Sequence, residues 1–238
     1  VINFAAKKGA FSIANRYSYG DRKCYSDVIF GLHVIDLLKY NSAVNIMDNE
    51  SKAYYLCVSE IEKNYFGEDL YKTKVEKEEI VKSNDYRFTY WIEDMKNQHS
   101  NYRFRKYEAM TSGSTATVID VSDHIVPFIR MSEMYLIAVE CCKLDEASVY
   151  LNTFRNARNC NSLALTEDNR INILANEYKK EMLGEGQLFF FYKRQEMVNI
   201  PDGNQATGTK NVELAKYVVP LPESETDQRI SSTDISNE

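Results

Sequence analysis

The stretch from Pro127 to Arg194 largely determines which fold this sequence can adopt, because it holds three helix-length segments. The first, PFIRMSEMYLIAVECC, is apolar almost all round, a pattern typical of a central, buried helix with Pro127 in its first turn. The second, EASVYLNTFRNARN, is apolar on one side only. The turn between them, Lys143 to Asp145, is so short that the two helices are expected to be antiparallel neighbours.

The third segment, NILANEYKKEMLGEGQLFFFYKR, carries an apolar stripe that ends at Gly184 and Gly186, and an aromatic run follows. Asp145 and Thr166 are the expected N-caps of the second and third helices. The other predicted elements are a helix over 2–14, strands over 27–35, 86–93, 102–108 and 215–220, a charged helix or loop face at TKVEKEEIVK, and a loop over 196–213.

Length and charge exclude several functional classes. The chain has 238 residues, of which 44% are hydrophobic and 27% charged, which is enough for a sizeable core in a globular protein. Its net charge of −6 and pI near 5.3 argue against binding to nucleic acid, which favours basic surfaces. No run approaches the ~18 apolar residues that a membrane-spanning helix needs.

The cysteines and histidines predict neither a disulfide framework nor a metal site. The five cysteines are an odd number, and the sequence has no CxxC motif and no histidine at metal-ligand spacing. Cys141 and Cys142 are expected to act as small hydrophobic residues in the buried first helix. No phosphate loop and no GxGxxG motif is present, so no cofactor is predicted.

The strongest catalytic alternative is a set of glutamates, Glu177, Glu181 and Glu185, which recur every four residues on one helix face. Paired carboxylates perform glycoside hydrolysis, but carboxylates one turn apart on one helix cannot flank a substrate from opposite sides. Lys179 and Lys180 lie among them, as on an ordinary solvated helix. Because the sequence also lacks a GxSxG motif, it predicts a protein that is not an enzyme.

Several ordered motifs resemble the C-terminal signature of the SusD/RagB family of outer-membrane lipoproteins from Bacteroidetes. PFIRMSEMYLIAVECC…DEASVYLNTFRNARN matches that signature at Arg130, Glu133, Tyr135-Leu136, Val139-Glu140, Leu151-Asn152, Arg155 and Arg158. A Glu…Glu…Glu-Gly block follows at Glu177, Glu181 and Glu185-Gly186, and YVVPLPESE resembles the closing Pro-x-Pro with its acidic residue. Upstream, NDYRFTYWIE and YRFRKY resemble the family's Asp-x-Arg strand and the aromatic-basic strand after it. The resemblance covers 85–229.

The third segment departs from the family pattern at three positions. Tyr178 and Leu188 stand where the family has arginines, and Phe191 stands where it has an aspartate. These positions are expected to serve packing or ion pairing rather than ligand binding. The departures therefore predict local salt bridges that differ from those of the family.

The resemblance implies a mainly α-helical fold with a few short β-strands, TPR-like antiparallel helix pairs and irregular loops. It implies one SusD/RagB-like domain over 1–238, with most of the family's N-terminal helical half absent. It also implies non-catalytic binding of oligosaccharides at the cell surface, for uptake through a SusC-like TonB-dependent transporter. The protein would be held at the outer membrane by an N-terminal lipid anchor that is not present in this chain. A helical, TPR-like protein-interaction scaffold without glycan binding is the alternative.

No family motif supplies a ligand residue, so these residues are predicted from aromatic composition. The chain has 17 tyrosines and one tryptophan, and aromatic rings offer a flat apolar area to sugar faces. The predicted ligand-binding residues lie in or near an irregular polar segment, where functional loops concentrate: Tyr54, Tyr55, Tyr65, Tyr71 and Trp91. For Trp91, a core position facing the helices is the favoured alternative.

Overall fold

The structure is a computed structural model that describes residues 1–3, 12–14, 22, 24–35, 37, 66, 70–75, 78–83, 85–94, 102–104, 106–107, 124–202 and 208–220. Predictions on other residues, including most of the helix over 2–14 and the ligand residues Tyr54, Tyr55 and Tyr65, lie outside the described part of the chain.

The described chain is mainly α-helical with a few short strands, which confirms the predicted fold class. The helices are α1 (Tyr86–Trp91), α2 (Met131–Cys141), α3 (Leu144–Ala157), α4 (Arg170–Glu181) and α5 (Leu188–Arg194). The strands are β1 (Val28–His33), β2 (Leu70–Val75), β3 (Glu78–Ser83), β4 (Ile92–Asp94), β5 (Tyr102–Phe104), β6 (Ile125–Arg130), β7 (Asn199–Pro201) and β8 (Thr209–Asn211). They form two-stranded antiparallel sheets that pair β1 with β6, β2 with β3, β4 with β5 and β7 with β8.

The larger apolar core lies between α2, α3, α4 and α5. Leu136, Leu151 and Leu174 are completely buried in it, and Phe191 of α5 is nearly so. Each such side chain contributes about 1.5–3 kcal/mol by leaving water. The apolar stripes predicted for the second and third segments are confirmed at Leu151 and Leu174.

A second, smaller apolar cluster forms around α1. It contains Ala14, Cys24, Phe66, Trp91 and Ile92. Trp91 is 3% exposed, and its Nε1 donates to the carbonyl oxygen of Arg22 over 2.8 Å. The core position considered for Trp91 is therefore the one that the structure shows.

Residues 86–91 form a helix, so the predicted strand over 86–93 is wrong there. Asp85 begins α1 as its N-cap, since its carboxylate accepts from the backbone N–H of Arg87. The four-residue spacing then places Arg87 and Trp91 on the same buried face. Alternating aromatic residues favour a strand locally, but the burial of these two side chains outweighs that preference. The strand begins later, as β4, and pairs with β5.

The first long helix also begins later than predicted, because Pro127 lies in β6 rather than in a first helical turn. In a two-stranded sheet each strand has an outer edge, where a residue without an N–H is tolerated. The helix α2 begins at Met131, and it is not buried all round, since Ile137 and Cys141 are exposed. Cys142, just after the helix, is half-buried and packs against the larger apolar core, so of these two adjacent cysteines only the exposed Cys141 lies outside it.

The helix caps differ from the predicted ones by two and three residues. Lys143 precedes α3 and Asn169 precedes α4, in place of Asp145 and Thr166. Thr166 and Asn169 bond to each other's backbone N–H groups in the turn before α4. The glycine break is confirmed, since Gly184 and Gly186 both have positive φ.

Three further predictions are corrected by short elements. Most of the charged stretch TKVEKEEIVK lies in β2 and β3, where the antiparallel register sets residue 74 opposite residue 79. The predicted loop over 196–213 contains β7 and β8. A 3-10 helix, Leu214–Tyr217, occupies part of the predicted strand over 215–220. Within the described residues, none of the helices is long and apolar enough to cross a bilayer.

Candidate functional site

A buried network of ion pairs lies where α1, β6, α3 and α4 meet. The cations in it are Arg87, Lys106, Arg130, Arg155, Arg158 and Lys180, and the carboxylates are Asp27, Asp85, Glu177, Glu181 and Glu185. Every one of these side chains is at most 5% exposed. Charges buried to this extent need partners for every donor and acceptor.

Glu181 is the centre of the network. Its Oε1 accepts from Arg130 over 2.6 Å and from Arg158 over 2.7 Å. Its Oε2 accepts from Arg158 Nε over 3.0 Å, with Arg87 Nη1 at 3.4 Å. Burial alone would raise the pKa of this carboxyl, but the coulombic attraction of Arg158 and Arg130 outweighs it and holds the pKa well below its usual range.

The two glutamates on either side of Glu181 are paired in the same way. Glu177 accepts from Arg87 over 2.9 Å, from Lys180 over 3.0 Å, and from Arg155. Burial opposes ionisation of Glu177, yet these cations lower its pKa to about 2.

Glu185 joins the network from the end of the same face. It accepts from Arg130 Nε over 3.1 Å and also pairs with Lys106.

Asp27 ties the N-terminal part of the described chain to this centre. Its Oδ2 lies 3.3 Å from Arg130 Nη1 and 3.2 Å from Arg158 Nη2. Its Oδ1 accepts from the backbone N–H of Ser132 over 3.0 Å and so caps α2, whose own N-cap residue supplies no side-chain bond. Burial is the largest influence on Asp27 and raises the pKa of its carboxyl.

Aromatic rings cover the cations of the network. The guanidinium carbons of Arg87 and Arg158 lie 5.5 Å and 5.3 Å from the centroid of the Phe154 ring. Lys106 Nζ lies 3.9 Å from the centroid of the Trp91 ring. These contacts are within the range of cation–π attraction, so both apolar clusters border the network directly.

This arrangement does not equip the three glutamates for glycoside hydrolysis. A hydrolase needs one carboxyl with a raised pKa to protonate the leaving group, and two carboxyls that face each other across a substrate cleft. Glu177 and Glu181 instead have lowered pKa values and are bound by arginines inside the protein. The prediction that they lie on a solvated helix face is wrong, because their partners come from distant parts of the sequence.

Comparisons with known proteins support the family resemblance of the motifs that form this network. The family model described as the SusD family matches residues 41–231. The chain belongs to the SusD family. A solved structure of a SusD superfamily protein from Bacteroides thetaiotaomicron matches with a TM-score of 0.51 and 18% sequence identity. The match covers 92% of this chain and 51% of that one, so the chain spans about half the length of the matched protein. No curated protein matches the chain.

Many of the charged residues that carry the resemblance to the SusD family belong to the network. Arg130, Arg155 and Arg158 pair with Glu177, Glu181 and Glu185, and Arg87 belongs to the upstream Asp-x-Arg motif. The signature therefore encodes a buried structural centre in this SusD-family chain, and it identifies no ligand.

Two of the residues that depart from the SusD family pattern are in contact with each other. The rings of Tyr178 and Phe191 stack with centroids 4.4 Å apart and an interplanar angle of 22°. An aromatic pair thus occupies positions at which the family has an arginine and an aspartate. Arg194 still forms an ion pair on this side of α5, to Glu140 of α2. The replacement leaves the buried network intact.

Two of the predicted ligand residues lie in the described part of this SusD-family protein. Tyr71 lies in β2, and Trp91 lies in the second apolar cluster beneath Lys106. The other three tyrosines lie outside the described residues.

Sequence reasoning missed the apolar side chains that the β1–β6 ribbon exposes: Phe30, Leu32, Phe128 and Ile129. Phe30 and Leu32 lie in the predicted strand over 27–35, but the sequence does not show which of its faces is exposed. Phe128 and Ile129 lie in the stretch that the sequence predicts as the start of the first helix, so their exposure on a strand is not visible there.

Proposed function

We propose that this SusD-family chain binds oligosaccharides at the outer surface of a bacterial outer membrane, for uptake through a SusC-like TonB-dependent transporter. The observation that carries the proposal is the family match over residues 41–231. The lowered pKa values of the buried Glu177 and Glu181 support binding without bond cleavage. The protein would be held on the membrane by an N-terminal lipid anchor.

The proposed ligand contacts remain the aromatic residues of the N-terminal half of the chain: Tyr54, Tyr55, Tyr65, Tyr71 and Trp91. Aromatic rings stack on the apolar faces of sugars and lose little conformational entropy on binding. Because Trp91 is 3% exposed, its ring reaches a sugar only if the segments that cover it move aside.

The first test is calorimetric titration of the protein with a panel of plant and host oligosaccharides, with chromatography of each glycan afterwards. The expected result is saturable binding of one glycan class with no shorter product. Release of a shorter product would overturn the non-catalytic part of the proposal. Absence of binding across the panel would overturn glycan capture by this chain.

A pair of variants tests the proposed contacts. Tyr54→Ala with Tyr55→Ala is expected to weaken binding by about tenfold or more, since each ring contact contributes on the order of 1 kcal/mol. The matched control, Tyr54→Phe with Tyr55→Phe, keeps both rings and should retain most of the affinity. A folded alanine variant with unchanged affinity would remove both residues from the site.

The second candidate function is a protein-interaction scaffold without glycan binding. The exposed apolar side chains of the ribbon favour it, since contiguous exposed apolar area often marks an interaction surface. Co-purification of the chain with a SusC-like outer-membrane transporter, together with no response to any glycan, would favour the scaffold. Protease treatment of intact cells would test the surface location, because a surface-anchored protein is degraded while the cells remain whole.

A further inference from the structure

Two histidines from distant parts of the sequence meet at the end of the β1–β6 ribbon. His33 is the last residue of β1, and His124 immediately precedes β6. The backbone N–H of Val34 donates to the carbonyl oxygen of His124 over 2.7 Å, which holds the two chain segments together. The centroids of the two imidazole rings are 5.4 Å apart, with an interplanar angle of 40°.

A backbone contact bears on the tautomer of His124. Nδ1 of His124 lies 3.3 Å from the carbonyl oxygen of Val34. A carbonyl oxygen only accepts, so this contact is a hydrogen bond in the tautomer that carries the proton on Nδ1, and Nε2 is the metal-binding nitrogen of that tautomer. Imidazoles that bind metals are held in this way, with one ring nitrogen donating to a carbonyl and the other serving as ligand.

The separation of the rings suits one shared metal ion. Two imidazoles on a tetrahedral ion, with metal–nitrogen bonds of about 2.0–2.1 Å, have ring centroids about 5 Å apart. The observed 5.4 Å is close to this value, so small side-chain rotations bring both rings onto one ion. His33 is exposed and His124 is half-buried, so the pair is open to ions from solution.

We propose that His33 and His124 form a two-imidazole chelate for a borderline-soft divalent ion such as Zn²⁺ or Ni²⁺, with water at the remaining positions. Imidazole nitrogen favours these ions over Mg²⁺ and Ca²⁺. In the described part of the chain no group of three or more histidine, cysteine, aspartate or glutamate side chains is placed to hold a metal. The proposed site is therefore an open, exchangeable one, and it is independent of the proposed glycan binding.

The test is calorimetric titration of the full chain with ZnCl₂, and separately with NiCl₂, at pH 7.5. The expected result is one ion per chain, with affinity at least about tenfold weaker in His33→Ala and in His124→Ala. His99→Ala is the matched control, because His99 is the remaining histidine of the chain and should leave the affinity unchanged. Wild-type protein that binds no Zn²⁺ up to millimolar concentration would overturn the proposal. Ala variants of His33 and His124 that bind like the wild type would do the same.

A further readout separates this site from scattered surface binding. An ion that bridges β1 and β6 binds only the folded chain, so Zn²⁺ should raise the unfolding temperature of the wild type and of His99→Ala. It should raise it much less in His33→Ala. An equal rise in all three proteins would show that the ion binds elsewhere.

Discussion

Glu181 is a single carboxylate on which several buried cations depend. It accepts hydrogen bonds from Arg130 and Arg158 and lies within ion-pair distance of Arg87. An ion pair that is completely buried adds little net stability relative to an apolar pair of the same shape, but removal of one partner leaves the other charge uncompensated. The effect of a substitution here is therefore larger than the strength of the pair suggests.

We expect Glu181→Gln to lower the free energy of unfolding by about 3–5 kcal/mol, because it removes one counter-charge that several buried guanidinium groups share. The matched control is Glu140→Gln, which breaks the ion pair with Arg194; the side chains of Arg194 and Glu140 are 47% and 13% exposed. A pair with one partner largely in solvent contributes less than a completely buried one, so this variant should lose clearly less stability than Glu181→Gln. Urea denaturation of the three proteins measures the difference. Equal losses in both variants would contradict the central role of Glu181.

The lowered pKa of Glu177 predicts how stability depends on acid. Its pKa is about 2 in the folded protein, against 4.5 for the ordinary carboxyl. The stabilisation from this group is thus complete above pH 4.5 and is lost as the pH falls towards 2, an effect on the order of 3 kcal/mol. We expect a shallower acid slope of the unfolding free energy in Glu177→Gln than in the wild type. Parallel slopes would show that other carboxyls dominate.

Individual residues of the network were only partly predictable from the sequence. The arginines and glutamates were recognised through the motifs that they form. The burial of these side chains is not visible in the sequence. Lys179 and Lys180 lie beside Glu177 as they would on a solvated helix, and its partner Arg87 is far away in the chain. No periodicity within one segment carries that information.

Among the elements, α2 depends on a cap from outside its own segment. The Asp27 carboxylate accepts from Ser132 N–H, and a helix that begins without such a bond has unsatisfied backbone donors. Asp27→Asn keeps an acceptor oxygen for this bond, whereas Asp27→Ala removes it. We expect the alanine variant to be less stable than the asparagine variant by about 0.5–2 kcal/mol, measured by urea unfolding. Equal stability would mean that Asp27 contributes only its charge.

The turn after α4 provides a pair of glycines in similar conformations but different surroundings. A Cβ on Gly184 would lie 2.8 Å from Cε1 of Phe104, while one on Gly186 would meet no atom within 4 Å. Alanine at either position carries the cost of a positive φ, about 1–2 kcal/mol. We expect Gly184→Ala to cost about 1–3 kcal/mol more than Gly186→Ala, because it also overpacks the Phe104 ring. Thermal unfolding of both variants tests this, and equal costs would show that the ring moves aside freely.

The elements with a clear helical period were predicted well, and the short ones were not. The apolar stripes of α3 and α4 are set by residues within each helix, so the pattern is visible in the sequence. The helix α1 has only six residues and many aromatic ones, and it is helical because Arg87 and Trp91 find partners in other segments. A local pattern cannot report a preference that distant contacts decide.

At the scale of the whole molecule, the network joins two apolar clusters. One contains Leu136, Leu174 and Phe191, and the other contains Phe66 and Trp91. The charges between them are compensated only when both clusters are in place. The two should therefore unfold as one cooperative unit.

Trp91 is the only tryptophan of the chain, so its fluorescence reports the smaller cluster, while far-ultraviolet circular dichroism reports mainly the long helices. We expect the two signals to change together during urea unfolding of the wild type. In Glu181→Gln the fluorescence should change at a lower urea concentration than the helical signal, because the link between the clusters is weakened. Separate transitions in the wild type would contradict the coupling.

The network also affects how late during synthesis the folded structure can form. Asp27, Arg87 and Arg130 come early or midway in the chain, while the glutamates that satisfy the cations among them, Glu181 and Glu185, come late. During synthesis the emerging chain therefore carries charges that stay in water until its last helices are made. Contacts so distant in sequence form slowly. A chain that delays its own closure in this way stays unfolded for longer after synthesis.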